Sequence, residues 1–191
     1  PEFRREALEA LRQPLEEGIV TVTRLRGTLV LPARFQLVGA MNPCPCGGPR
    51  ASQPCACTPG QVRSYRSRIS GPLLDRIDLL VEVSALSFEE VVGAPGEGTH
   101  RIADRVREAR QFRAQRVPAS KARSNAELDP AALRSEATLS GPGLRLLERG
   151  LRAGTLTARA FDRVLRVART LADLELSSQV TDAHVAEALH F

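Results

Sequence analysis

Apolar positions recur along this chain with two different periods, and the changes of period mark its elements. Between Glu2 and Glu17, Phe3, Leu8, Leu11 and Leu15 fall at helical spacing, and Gly18 stands where a glycine commonly closes a helix. Ile19–Thr23 and Thr28–Leu31 are β-branched, apolar runs on either side of Arg24-Leu-Arg-Gly27, which predicts a hairpin. Phe35–Ala40 reads as a short buried strand that stops at the polar Asn42 and Pro43. Arg63–Asp75 predicts helix broken at Gly71-Pro72, Ile77–Val83 a second buried strand, and Ser87-Phe-Glu-Glu90 a capping box opening a helix.

Gly93–Thr99 is a glycine-rich loop. Thr99–Arg116 then reads as a strongly charged helix with Ile102, Val106, Ala109 and Phe112 or Arg113 near one face. Val117–Glu127 is polar and irregular. From Asp129-Pro130, an N-cap followed by a first-turn proline, helices are expected near 130–137, 142–153, 158–176 and 182–190. The expected division is an α/β part over 1–116, holding a partial parallel sheet, helices and the hairpin, and an all-α part over 117–191.

Composition narrows the class. The 191 residues are 42% apolar and 26% charged, enough for one sizeable domain or two small ones. No run approaches the ~20 apolar residues of a membrane span, and no basic-then-apolar leader opens the chain. A cytoplasmic protein with no membrane partner is expected. The chain begins at Pro1 rather than a methionine, which is the expectation for a piece of a longer protein. The net charge of +5 favours polyanions such as DNA, but Lys121 is the only lysine, so arginine-rich coding explains the excess better and the charge is supporting evidence only.

Four cysteines lie in two CxC pairs, Cys44/Cys46 and Cys55/Cys57, on a Gly- and Pro-rich loop directly behind Asn42. Four thiolates suit a tetrahedral, structural Zn²⁺, although CxxC is the commoner spacing; two disulfides or free thiols are the alternatives. His100, His184 and His190 are scattered without ligand spacing. In the 158–176 helix, Phe161, Val164, Leu165, Ala168, Leu171 and Ala172 form a core-facing stripe, and Asp162–Arg166 and Arg169–Asp173 read as surface i, i+4 pairs.

The strings PEFRREALEALRQPLE, AMNPCPCG, SRISGPLLDRIDL and ARTLADLE together resemble the second half of an AAA+ ATPase module of the magnesium-chelatase-like ComM/YifB family. The resemblance runs over essentially the whole chain, while no GxxxxGK[ST] phosphate loop and no acidic Walker-B strand occurs in it. It implies an α/β AAA+ core portion followed by a helical lid, ATP and Mg²⁺ as cofactors of the whole protein, and assembly with itself into a ring, as a hexamer.

It also implies residue roles. Asn42 corresponds to sensor 1, which positions the attacking water. Leu74-Asp75-Arg76 resembles the pattern in which the arginine is a finger in the neighbouring subunit's site; pairing of Arg76 with Asp75 or Asp78 is the structural alternative. Thr157-Ala158-Arg159-Ala160 is a near match to Ser-Ala-Arg-Ala, whose arginine is the sensor-2 contact to the γ-phosphate. Arg68 corresponds to an inter-subunit contact. The hairpin tip, with Arg24 and Arg26, would touch DNA phosphates in a central pore. The function implied is a DNA motor, a branch-migration helicase or translocase in recombination or natural transformation; a chelatase-like remodelling or adaptor protein acting on a protein partner is the alternative. The 191 residues alone are expected to be inactive.

Overall fold

A computed structural model of the chain describes residues 1–48, 54–116, 122–139 and 141–191. It divides into two compact units, Pro1–Ile77 and Asp78–Phe191.

The first unit opens with α1 (Arg5–Ala10) and α2 (Arg12–Glu17) rather than the single helix predicted. Pro14 is the cause, because it has no N–H to give the Ala10 carbonyl and its ring crowds that carbonyl. Gly18 ends α2 in the left-handed region, at φ 67°, and the hairpin follows at once. Strands β1 (Ile19–Arg24) and β2 (Gly27–Pro32) pair antiparallel from Ile19↔Pro32 to Arg24↔Gly27, leaving a two-residue tip. After the cysteine loop come α3 (Pro59–Arg66), capped by the Thr58–Gln61 box, and the short α4 (Gly71–Leu74), capped by Ser70.

No parallel sheet forms among the described residues. Among the described residues the hairpin is the only sheet, and Phe35–Ala40 and Ile77–Val83 carry no ladder hydrogen bonds. Both segments are apolar as predicted but largely exposed, with Val38 at 82% and Val83 at 89%. Apolar content makes a strand competent; a partner makes it a strand.

The second unit holds α5 (Phe88–Val92) and α6 (Thr99–Arg116), the latter with the bounds the sequence predicts. A 3-10 turn (Asn125–Glu127) and α7 (Pro130–Glu136), α8 (Gly141–Arg152), α9 (Ala158–Leu174) and α10 (Asp182–Ala188) follow. Residues 117–121, part of the predicted irregular stretch, lie outside the described residues. The central helix is α9. Its Val164, Leu165 and Ala168 meet Leu133, Leu147 and Val185 in a continuous core, and Ala172 is buried on the same stripe.

One end of α9 is polar and buried, which corrects the surface-pair expectation. Arg169 and Asp173 are 0% and 2% exposed and lie 3.1 Å apart. Asp173 also accepts from Arg116 Nε and Nη2, both at 3.2 Å, and from Asn125 Nδ2 at 2.7 Å. Arg169 donates to the Ser177 and Ser178 carbonyls, and Arg116 pairs with Glu136. Asp173 thereby ties α6 and the 3-10 turn to α9, and Arg116 extends the tie to Glu136 of α7.

Candidate functional site

The cysteine loop is built for close approach. Gly47 N–H closes a turn on the Cys44 carbonyl at 3.1 Å. Gly48 stands at φ 93°, where a Cβ would lie 2.8 Å from the Pro43 ring. The four sulfurs come within 4.8 Å of one another, with Cys44–Cys46, Cys44–Cys55 and Cys46–Cys55 at 3.3, 3.5 and 3.6 Å. A tetrahedron of sulfurs about 2.3 Å from zinc has edges of roughly 3.8 Å, so the donor set fits that ion. None of the four forms a disulfide. The Gly48 N–H and the neighbouring thiols pull the Cys46 thiol down to about 6. The Cys46 backbone lowers Cys57, but that sulfur's neighbours and burial outweigh it and push Cys57 up to about 12. Residues 49–53, between the pairs, lie outside the described residues.

Asn42 is exposed at the mouth of this loop and lines a cavity of about 260 Å³ with Glu2, Phe3, Met41 and Tyr65. Helix α3, which starts just after Cys57, grips the segment from behind. Arg66 Nε donates to the Pro43 carbonyl at 3.3 Å. The Tyr65 hydroxyl accepts from the Asn42 backbone and donates to Glu2; burial first, and then that carboxylate, push its pKa up. Tyr65 is 4% exposed.

The hairpin tip is the reverse case. Leu25 is fully exposed between the exposed Arg24 and Arg26, while the base is fastened. Ala33 N–H donates to the Gly18 carbonyl at 2.7 Å, and the Gln13 side chain makes two hydrogen bonds to Thr21.

Arg76 pairs with Glu16 of α2 and donates to the Pro72 carbonyl. Its side chain is only 10% exposed. Arg68 Nη1 donates to the Pro1 carbonyl at 3.3 Å. In the second unit, Arg159 is exposed in the first turn of α9, directly after the Thr157 cap that accepts from Ala160 N–H at 3.1 Å. The structure thus brings Asn42 and the four cysteines together, sets α2 in contact with both Arg76 and the hairpin, and places Arg159 in the other unit.

Two sequence profiles of known families match. Residues 1–91 match magnesium chelatase, subunit ChlI, and residues 96–191 match its C-terminal counterpart. The chain belongs to the magnesium-chelatase-like ComM/YifB family. The competence protein ComM of Haemophilus influenzae is 37% identical over 193 residues, covering all of this chain. YifB of Escherichia coli is 40% identical over 197 residues, again covering all of it. An uncharacterised protein of Mycobacterium tuberculosis is 43% identical over 97% of the chain. The chain spans 37% of the length of each of these three relatives.

Within this ComM/YifB-type chain, sequence reasoning missed Glu16 and the buried place of Tyr65. Glu16 lies 60 positions from Arg76, beyond any local pattern. Tyr65 had a signal, since it is the one tyrosine of the chain and falls on the helix that leaves the cysteine loop. His184 is structural: its Nδ1 accepts from Thr181 N–H at 2.9 Å, and its Nε2 lies 2.9 Å from Glu175.

Proposed function

We propose that this chain supplies the sensor, finger and hairpin parts of an ATP-driven AAA+ DNA motor, a branch-migration helicase or translocase of recombination or natural transformation. The observation that carries the reading is the hairpin. A fully exposed leucine between two exposed arginines, on a strand pair fastened away from its tip, suits contact with a nucleic-acid backbone. The relation to a competence protein over the whole chain supports it. In this reading Asn42 orients the attacking water, Arg159 contacts the γ-phosphate, and Arg76 serves a neighbouring subunit in a hexameric ring. Arginine suits both charged tasks because its fork is permanently protonated and meets phosphate oxygens bidentately.

The remaining assignments belong to the same proposal. The core covers 1–116 and the lid 117–191, with Phe35–Ala40 and Ile77–Val83 as strands of a parallel sheet completed by other residues of the whole protein. ATP and Mg²⁺ bind the whole protein in the cytoplasm, and Zn²⁺ held by Cys44, Cys46, Cys55 and Cys57 is structural, because four protein ligands leave no open position. A chelatase-like remodelling role on a protein partner is the second reading, favoured by the magnesium chelatase profiles.

ATP turnover of the full-length protein, with and without single-stranded or branched DNA, tests the proposal. The motor reading expects DNA to raise turnover and Arg24→Ala with Arg26→Ala to lower the salt dependence of single-strand binding by about 1.4 in slope. Turnover indifferent to DNA but raised by a protein partner would favour remodelling. The 191 residues alone should show no turnover.

A further inference from the structure

One short helix touches both the hairpin and Arg76. From α2, Gln13 Oε1 accepts from Thr21 N–H at 3.3 Å and its Nε2 donates to Thr21 Oγ1 at 3.2 Å. One turn on, the Glu16 carboxylate pairs with Arg76. The helix then ends at Gly18, whose carbonyl closes the hairpin base. The preceding helix makes a matching contact: Glu9 hydrogen-bonds Ser70, the cap of α4, and Arg12 at 2.9 Å. Helix α4, which leads into Arg76, is therefore held near its start by Glu9 and beyond its end by Glu16.

We infer that Glu16 is the positioning residue of Arg76 and that α2 links the hairpin to it. The inference rests on the motor reading above. An arginine serving a neighbour's site must present its fork in one orientation, yet its side chain has many rotamers. Here Glu16 takes one terminal nitrogen and the Pro72 carbonyl the other, and the side chain is 10% exposed. The carboxylate doing this sits on the helix that Gln13 fastens to β1. A strand pair pulled at its tip by DNA would turn that helix, and with it the carboxylate that orients Arg76.

Steady-state ATP turnover of the full-length protein, with and without a single-stranded DNA oligonucleotide, tests this with four variants. Arg76→Ala should lose turnover. Glu16→Gln should lower kcat about tenfold while KM for ATP stays unchanged, as expected of a misplaced rather than a missing group. Glu16→Asp should recover most of the loss. Gln13→Ala should keep DNA-free turnover and lose the stimulation by DNA, and it carries the test of the link if Glu16→Gln fails to fold. Wild-type kcat in Glu16→Gln, where Arg76→Ala has lost it, overturns the positioning role and leaves the motor reading standing. Full DNA stimulation in Gln13→Ala overturns the link. Undiminished turnover in Arg76→Ala removes the finger assignment, and this inference falls with it.

Discussion

Cys46 and Cys57 sit in one cluster with opposite proton affinities, about 6 and about 12. At pH 7 the metal-free protein therefore carries Cys46 as thiolate and Cys57 as thiol. Iodoacetamide should modify Cys46 fast at pH 7 and about tenfold more slowly for each pH unit below 6, as the thiolate is lost, while Cys57 stays unreactive. Modification of all four at one rate would contradict the arrangement. Because a metal ligand must be deprotonated, zinc uptake should release protons and tighten as pH rises. Protein purified without chelator should hold about one zinc per chain, and Cys44→Ser with Cys57→Ser should release it. The four-cysteine cluster was legible because its members are close in sequence. The Arg76–Glu16 pair was not, because its two members lie 60 positions apart and meet only in the folded chain.

Helix α9 shows which part of an element a sequence discloses. Its apolar stripe follows from period alone, and Val164, Leu165, Ala168 and Ala172 are buried where the period puts them. Arg169 and Asp173 also looked simple, as an exposed pair worth a few tenths of a kcal/mol. Burial changes their weight, because the partners that cover them, Arg116 and Asn125, come from residues far along the chain. Removing one member of a buried ion pair leaves an uncompensated charge and costs about 3–5 kcal/mol. Asp173→Ala should lower the stability of the helical unit by that amount in denaturant unfolding, whereas Arg152→Ala, whose partner Glu148 is exposed, should change it by less than about 0.5 kcal/mol. Equal effects would place the Asp173 network at the surface. The break at Leu11 was not read from the period, although Pro14 causes it.

At the scale of the molecule, the helices, the hairpin and the family were readable and the sheet was not. Phe35–Ala40 and Ile77–Val83 have the residues of strands, but a ladder needs a second backbone, and these 191 residues provide none for them among those described. Function divides in the same way. The chain contains Asn42, Arg76, Arg159 and the hairpin, and no phosphate loop; the proposed function assigns that loop to a longer protein and the completed site to neighbouring subunits. That Arg76 acts on a neighbour is the central claim, and subunit mixing tests it most directly. Full-length Arg76→Ala should bind ATP and lose on the order of 10³-fold or more in turnover. Mixed with subunits whose phosphate loop is disabled, it should regain part of that turnover, because each mixed interface can join an intact loop to an intact arginine. Mixed rings that form and recover no turnover would contradict the account.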